Sequence, residues 1–167
     1  MFMTKEQVYE FMPHKPPFLF IDTVKELILP DGLEDKETIV TKDLVGATAV
    51  ACFKVTDDLE ILKGHFPGNP ILPGVIRIEM MAQASAFVSL GLKGINKSKA
   101  KVETLLLGVE GTKFRKPIVP GMEVEIRATI TKNRGSMAYY DGAIFYEGNQ
   151  IAQASLLARL IITEEGK

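Results

Sequence analysis

Residues 75–92 restrict the fold of this chain more than any other segment, because they are apolar nearly all the way round a helix. A helix of this kind is buried on most of its sides. Arg77 and Glu79 interrupt the segment, which falls short of the length needed to cross a bilayer. We therefore expect one long central helix inside a folded domain. Its apolar residues include Met80, Met81, Ala82, Ala84, Ala86, Phe87, Val88 and Leu90.

The C-terminal part of the chain predicts antiparallel strands. Apolar and polar residues alternate along residues 123–130 and again along 152–162, which is typical of strands with one buried face. Turn-forming residues at 132–135 and 147–149 predict hairpins between consecutive strands.

The N-terminal part predicts a short helix and two further strands. Thr4 and Gln7 have the spacing of a capping box, and the helix should end near Met12, before a run of prolines. Residues 18–29 and 38–56 are rich in strand-forming residues, and a lysine-rich connection follows the central helix at 93–101.

An antiparallel sheet curled around one central helix accounts for both the apolar helix and the alternating strands. In this arrangement the sheet buries the helix, and the helix buries the apolar face of each strand. This α+β arrangement is the hot-dog fold, and we expect it to form a single domain over residues 1–167. An open sheet leaves edge strands, which predicts that two copies pair into a longer sheet.

The composition excludes several classes of protein. With 46% apolar residues, 25% charged residues and a net charge of −1, the chain does not resemble a disordered protein or a nucleic-acid binder. Residues 1–12 lack the pattern of a secretory signal, so the cytoplasm is the default location and no membrane partner is expected. The single cysteine, Cys52, excludes an internal disulfide and cannot build a metal site by itself.

Residues 64–83 carry the strongest indication of chemistry. They place His65, one of two histidines, in a loop stiffened by glycines and prolines, directly before the helix that carries Glu79. A rigid loop can hold a base, and an acid on a buried helix can donate a proton. If the helix begins at Gly74, the free amides of Gly74 and Val75 could polarise a carbonyl oxygen. A lone histidine is more often structural, but together these features predict an acid–base site.

Glu79 needs a partner, because an unpaired carboxylate is rarely buried. Arg77 is two positions away and lies about 200° round the helix, whereas Gln83 is four positions on and shares the face of Glu79. The Gln83 amide could therefore orient the carboxyl group, and desolvation would favour the neutral acid that donates a proton. A purely structural carboxylate in a core hydrogen-bond network is the alternative.

Three segments resemble the bacterial 3-hydroxyacyl-[acyl-carrier-protein] dehydratases of fatty-acid synthesis. Residues 64–83 resemble the signature of that family, residues 12–22 resemble its Pro-His-basic-x-Pro-Phe-Leu segment, and residues 108–121 resemble its later strand motif. The order and spacing agree from about residue 11 to residue 162, more loosely between 29 and 62.

The resemblance implies an active site shared between two hot-dog protomers, with His65 from one and Glu79 from the other. It implies removal of water from a (3R)-3-hydroxyacyl thioester to give the trans-2-enoyl thioester, without a metal or redox cofactor. His65 would take the α-proton, Glu79 would protonate the departing hydroxyl, and the Gly74 amide would bind the thioester carbonyl. A related branch that also isomerises the double bond has aspartate at the acid position, so glutamate favours the branch that only dehydrates.

The implied partner is an acyl carrier protein that presents the substrate on a phosphopantetheine thioester. Such carrier proteins are typically acidic, and Arg115 and Lys116 in the later strand motif are the favoured docking residues. The lysines within residues 93–101 are an alternative docking site, or simply a solvated loop.

The acyl chain is expected to run in a tunnel near Met80, Met81 and Phe87. His14 either lines the mouth of this tunnel or braces the N-terminal segment, and we favour structural support. Arg77 stands where the family usually has an aliphatic residue, and Met80 replaces a small one, so the preferred chain length and the pathway, general or specialised, stay open.

Two alternatives to dehydration stay open in the sequence. Some hot-dog proteins are thioesterases, although the spacing from His65 to Glu79 argues against that activity here, and release of free thiol would reveal it. The other alternative is a non-catalytic paralogue that binds the acyl carrier protein. The choice between a dimer and a trimer of dimers is also open.

Overall fold

The computed structural model describes residues 1–33, 35–93 and 100–164, and six strands in this part of the chain form one antiparallel sheet. The strand order across the sheet is β1-β2-β4-β5-β6-β3. The strands are β1 Thr23–Ile28, β2 Thr48–Lys54, β3 Ala100–Phe114, β4 Glu123–Arg134, β5 Met137–Tyr146 and β6 Asn149–Glu164. Every pairing is antiparallel, as the alternating patterns predicted.

The predicted alternation is confirmed by the burial of side chains. In β4, the apolar positions Val124, Ile126, Ala128 and Ile130 are fully buried, whereas Glu123 and Arg127 are exposed. In β6, burial is complete from Ala152 to Ala158 at alternate positions but only partial at Leu160 and Ile162, where the strand runs toward the edge of the core. The predicted hairpins join β4 to β5 and β5 to β6.

The central helix, α2, spans Gly74–Ala86 and continues as a 3-10 helix over Phe87–Gly91, close to the predicted span. It packs against β2 to β6 on one face of the sheet. Close approach depends on Gly142 in β5, because a Cβ atom there would lie 2.7 Å from the Cβ of Met81. A glycine at this point lets the helix settle onto the sheet.

The N-terminal helix, α1, spans Lys5–Phe11 and has the predicted capping box between Thr4 and Gln7. Its buried side is made by Val8 and Phe11, and the Phe11 ring lies 5.2 Å from the ring of Phe87. The short helix therefore covers the end of the central helix.

Two predicted strands begin later than expected. Residues 18–22 precede β1 and are not in the sheet, because the backbone groups of Phe18 and Phe20 are bonded to the side chain of Gln83 instead. Residues 41–44 form a 3-10 helix before β2, with the Val40 amide donating to the carboxylate of Asp43. Most of the lysine-rich connection, residues 94–99, lies outside the described residues.

The two end strands of the sheet are β1 and β3. Among the described residues, the outer strand β3 pairs with β6 alone, and its other edge is free. This strand also carries a row of exposed apolar side chains. Leu105 is 48% exposed, Leu107 52% and Val109 37%. In the described residues, no helix is long and apolar enough to span a membrane.

Candidate active site

Glu79 lies on one stripe of α2 together with Ala82, Gln83 and Ala86, at the helical spacings of three, four and seven residues. These residues line a groove of about 240 Å³ between α2, the N-terminal segment and β3. The Glu79 side chain is 23% exposed. The sequence pattern overstated its burial, because the stripe facing the groove is not covered by the sheet.

Gln83 is buried and fully hydrogen-bonded, which fixes the orientation of its amide. Its Nε2 donates to Glu79 Oε1 at 2.9 Å and to the carbonyl of Phe18 at 2.9 Å. Its Oε1 accepts from the backbone N–H of Phe20 at 2.9 Å. A flipped amide would set a donor against the Phe20 N–H, so Gln83 presents an N–H to Glu79. The predicted contact between positions 79 and 83 is confirmed.

His14 also approaches Glu79, with 3.5 Å between its Nε2 and Glu79 Oε1. The imidazole ring stacks on the ring of Phe18 with 6.4 Å between centroids and 29° between the ring planes. Its Nδ1 is buried and has no hydrogen-bond partner among the described residues. The acid on α2 is thus approached by His14 from the N-terminal segment and is hydrogen-bonded by Gln83 from its own helix.

His65 is half-buried in the loop before α2. Its Nδ1 lies 2.7 Å from the carbonyl oxygen of Ile71, and its ring stacks on Phe66 at 4.1 Å. A carbonyl can only accept, so Nδ1 carries the proton of the neutral ring and Nε2 keeps the lone pair that a base needs. Among the described residues of one chain, no hydrogen bond or ion pair joins His65 to Glu79.

The helix begins at Gly74, as predicted, and no side chain caps its first turn. The amides of Gly74 and Val75 have no hydrogen-bond partner among the described residues, and Val75 is 70% exposed. The ring of Phe114 packs directly against Gly74, where an added Cβ atom would lie 2.7 Å from the ring. A glycine is therefore required for close packing at this end of the helix.

Arg77 is only 4% exposed and does not pair with Glu79, as its helical position predicted. Its guanidinium donates to the carbonyls of Lys116 at 2.7 Å and Leu72 at 3.1 Å, and it lies over the ring of Phe114. Burial lowers the pKa of Arg77, but a guanidinium stays charged at neutral pH. Arg77 thereby ties the start of α2 to the segment after β3.

Arg115 and Lys116 are exposed in that segment, and the Arg115 side chain donates to Gln153 of β6. Because the Arg77 bond holds the Lys116 backbone against α2, both cations lie near the start of the helix. The structure thus brings the predicted docking residues close to Gly74.

The structure does not bring Met80, Met81 and Phe87, which the sequence predicted to lie along the acyl tunnel, to the groove beside Glu79. All three side chains are fully buried in the core and none lines the groove beside Glu79. The reason is the helical angle, since Met80 and Met81 follow Glu79 by one and two positions and so point about 100° and about 200° away from it around the helix. Small residues, Ala82 and Ala86, take the groove-facing positions instead.

Sequence reasoning missed the wall of the groove supplied by β3. It consists of Val102, Thr104, Leu105 and Leu106, and the hydroxyl of Thr104 is buried without a partner among the described residues. Strand-forming residues at 102–109 could have indicated β3, but nothing local in the sequence shows which helix face it meets. In the described ranges, no group of three or more His, Cys, Asp or Glu side chains could hold a metal ion.

A sheet wrapped around one helix, with a carboxylate on that helix and a histidine in the loop before it, defines a hot-dog-fold protein with a candidate acid–base site. The chain belongs to the FabA-like family, whose domain model matches residues 12–155. It is 35% identical over 158 residues to the 3-hydroxyacyl-[acyl-carrier-protein] dehydratase FabZ of Campylobacter jejuni, covering 93% of this chain and 95% of the relative. The protein of the same name from Anaeromyxobacter sp. (strain Fw109-5) is 31% identical over 163 residues, covering 98% and 93%. These matches confirm the resemblance.

Solved structures support the fold. The dehydratase heterocomplex ApeI:P from Xenorhabdus doucetiae superposes with a TM-score of 0.67 at 20% identity, covering 92% of this chain and 90% of the other. A mutant of the fluoroacetyl-CoA-specific thioesterase FlK superposes with a TM-score of 0.55 at 13% identity, covering 70% and 87%. Both similarities show the hot-dog fold alone.

Proposed function

We propose that this chain is a 3-hydroxyacyl-[acyl-carrier-protein] dehydratase of fatty-acid synthesis, which converts a (3R)-3-hydroxyacyl thioester into the trans-2-enoyl thioester. The observation that carries the proposal is the hydrogen bonding of the Glu79 carboxyl group, in which only one of the two oxygens has a partner among the described residues. Its Oε1 accepts from Gln83, whereas its Oε2 has no partner among the described residues. The second oxygen can therefore hold the proton that the departing hydroxyl needs. The relatives named as dehydratases give this chemistry its substrate class.

His65 is the base in this proposal. The bond from Nδ1 to Ile71 leaves Nε2 as the acceptor for the α-proton of the substrate. The uncapped amides at Gly74 and Val75 would bind the thioester carbonyl and stabilise the enolate-like charge as the proton leaves. Donors of this kind typically contribute about 10²–10³ in rate.

The complete site requires a second copy of the chain. His65 and Glu79 do not meet within one protomer, and the exposed apolar row on β3 lies beside the groove that Glu79 lines. Pairing of β3 with β3 of a second copy would cover this row and extend the sheet. We propose a homodimer in which His65 of one protomer faces Glu79 of the other, either alone or within a trimer of dimers.

The acyl chain would follow the groove past Glu79, between the alanines of α2 and the apolar side chains of β3. The carrier protein would dock where Arg115 and Lys116 lie, near the start of α2. Its phosphopantetheine arm would then pass Gly74 on the way to Glu79. Along this path the substrate would meet the docking residues first, then the amide of Gly74 and finally Glu79.

The first experiment measures enoyl thioester formation from a (3R)-3-hydroxyacyl-carrier protein by ultraviolet absorbance and mass spectrometry. The wild-type chain is compared with His65→Ala and Glu79→Gln, and each variant is expected to lose at least about 100-fold in kcat with its fold retained. Release of free thiol instead of enoyl product would identify a thioesterase. Absence of both products across short and long acyl chains would favour a binding-only paralogue.

A mixing experiment tests whether the site is shared. His65→Ala and Glu79→Gln are unfolded together, refolded at equal concentrations and assayed. In a mixed dimer, one of the two sites contains both intact residues, so about a quarter of the wild-type activity should return. If each site were formed within one chain, mixing would restore none.

A further inference from the structure

His14 approaches the proposed acid from the N-terminal segment, across the groove that both side chains line. The distance of 3.5 Å from its Nε2 to Glu79 Oε1 is longer than an ordinary hydrogen bond. Such contacts in a free enzyme often shorten when substrate binds. The two side chains are 28% and 23% exposed, so water does not fully screen their interaction.

The surroundings of His14 select one tautomer. Its Nδ1 is buried with no partner among the described residues, and an unpaired acceptor is tolerated better there than an unpaired N–H donor. The neutral ring therefore carries its proton on Nε2, which faces the carboxyl oxygen of Glu79. Stacking on Phe18 keeps the ring in this plane.

Glu79 Oε1 then faces two N–H groups, because it accepts from Gln83 at 2.9 Å and lies 3.5 Å from His14 Nε2. An oxygen that accepts two donors is a poor position for the carboxylic proton. The proton of the neutral acid is therefore directed to Oε2, which has no partner among the described residues.

We infer that His14 is a positioning residue, which acts with Gln83 to hold Glu79 Oε1 so that Oε2 carries the transferable proton. The inference rests on the proposed dehydratase function. It also requires a neutral ring, because an imidazolium beside Glu79 would stabilise the carboxylate and oppose proton donation.

The groove holds few other charges that could take over this role. Among its lining residues, His14 and Glu79 are the only ionisable side chains. From β3, the groove is lined by Val102, Thr104, Leu105 and Leu106, none of which titrates. The neighbouring Lys15 donates to the carbonyls of Tyr9 and Met12, and Arg77 of α2 donates to Leu72 and Lys116.

Two substitutions separate positioning from structural support. In His14→Phe the ring and its stacking on Phe18 are kept but the donor is lost. In His14→Gln the amide N–H replaces the Nε2 donor without a titrating group. We expect His14→Phe to lower kcat about tenfold with little change in KM, and His14→Gln to restore most of that loss.

Two results would overturn the inference: kcat within twofold of wild type in His14→Phe, or equal losses in both variants at matched Tm. Wild-type and Glu79→Gln assays accompany each measurement. If the wild-type chain makes no enoyl product, the proposed function and the catalytic part of this inference fail together. If Glu79→Gln is inactive and His14→Phe is normal, the inference about His14 fails alone.

A second readout does not depend on activity. The chain has two histidines, so their tautomers can be read in one nitrogen-15 correlation spectrum at alkaline pH. We expect the Nε2–H tautomer for His14 and the Nδ1–H tautomer for His65. Glu79→Ala should remove the preference of His14 and leave that of His65. An Nδ1–H tautomer for His14 in the wild-type chain would contradict the proposed contact.

Discussion

At the scale of single residues, Tyr140 in β5 is one of the described side chains that bury a polar group without a partner. Its side chain is fully buried and its hydroxyl has no hydrogen-bond partner among the described residues. A buried hydroxyl without a partner costs about 1–3 kcal/mol of desolvation. This position therefore carries a cost that the fold does not need.

Tyr140→Phe is expected to leave the free energy of unfolding unchanged or to raise it by up to about 1 kcal/mol at neutral pH. The measurement is urea unfolding followed by circular dichroism. Tyr139→Phe, on the other face of β5, controls for the loss of a tyrosine hydroxyl. Destabilisation of Tyr140→Phe by more than about 1 kcal/mol would mean that the hydroxyl makes a stabilising bond.

The free energies of unfolding of the wild type and Tyr140→Phe should differ more at high pH. Burial raises the pKa of Tyr140 far above its ordinary value of 10.0, so the folded state keeps the hydroxyl neutral. Above pH 10 the unfolded chain releases this proton and the folded chain does not, which lowers the stability of the wild type. The advantage of Tyr140→Phe should therefore grow by about 1.4 kcal/mol per pH unit. A constant difference between pH 9 and pH 11 would contradict this burial.

At the scale of elements, the decisive feature is the stripe of α2 that faces β3. Glu79 and Gln83 supply its chemistry, and Ala82 and Ala86 leave space beside them. Because β3 supplies the opposite wall, the width of the groove depends on how these two elements pack. We therefore predict that chain-length preference depends on this contact.

Ala86→Leu is expected to narrow the groove without touching the acid. Short hydroxyacyl substrates should keep most of their kcat/KM, whereas long ones should lose about tenfold or more, as small changes in apolar pockets typically cause. The assay compares substrates of increasing length on the same variant, so the short substrate is the internal control. Equal loss at every length would mean that the acyl chain does not follow this groove.

The helix and the sheet were largely predictable, because periodicity reports which side of an element is buried. The stripe that faces the groove was not, since Met80 and Met81 look as suitable for a tunnel as Ala82 and Ala86 until the sheet is in place. The strand predicted from residue 18 also began late. Gln83 competes there for the backbone groups that a ladder would have used.

At the scale of the whole molecule, charge is distributed so that cations lie near the start of α2. Arg115 and Lys116 follow β3 there, and the bond from Arg77 holds their backbone in place. An acidic carrier protein would be attracted to this end of the chain. The tip of the hairpin between β4 and β5 also carries cations but lies at the other end of β4.

Arg115→Glu combined with Lys116→Glu is expected to raise KM for the carrier-bound substrate about tenfold at low salt and to leave kcat nearly unchanged. The effect should shrink as salt is added, because screening weakens long-range attraction. The matched control is Lys132→Glu with Arg134→Glu at the distant hairpin tip. Equal effects of the two charge reversals would indicate a response to net charge and not a docking surface.

By itself, the sequence determined the local patterns: the capping box, the alternating strands, the apolar helix and the spacing of His65 and Glu79. These are properties of near neighbours in the chain, and the periods of helices and strands express them directly. The contact of Glu79 with Gln83 belongs to this class, because four residues along a helix always share a face.

Only the tertiary structure decided what faces Glu79 from elsewhere in the chain. It brought His14 to 3.5 Å from the acid, set Thr104 in the same groove, and kept His65 away within one protomer. Such contacts depend on how separate elements pack, and the same local pattern is compatible with several packings. The helical period can therefore identify the acid and the helix face on which it lies, whereas the neighbours of that acid follow only from the packing of the sheet and the N-terminal segment around the helix.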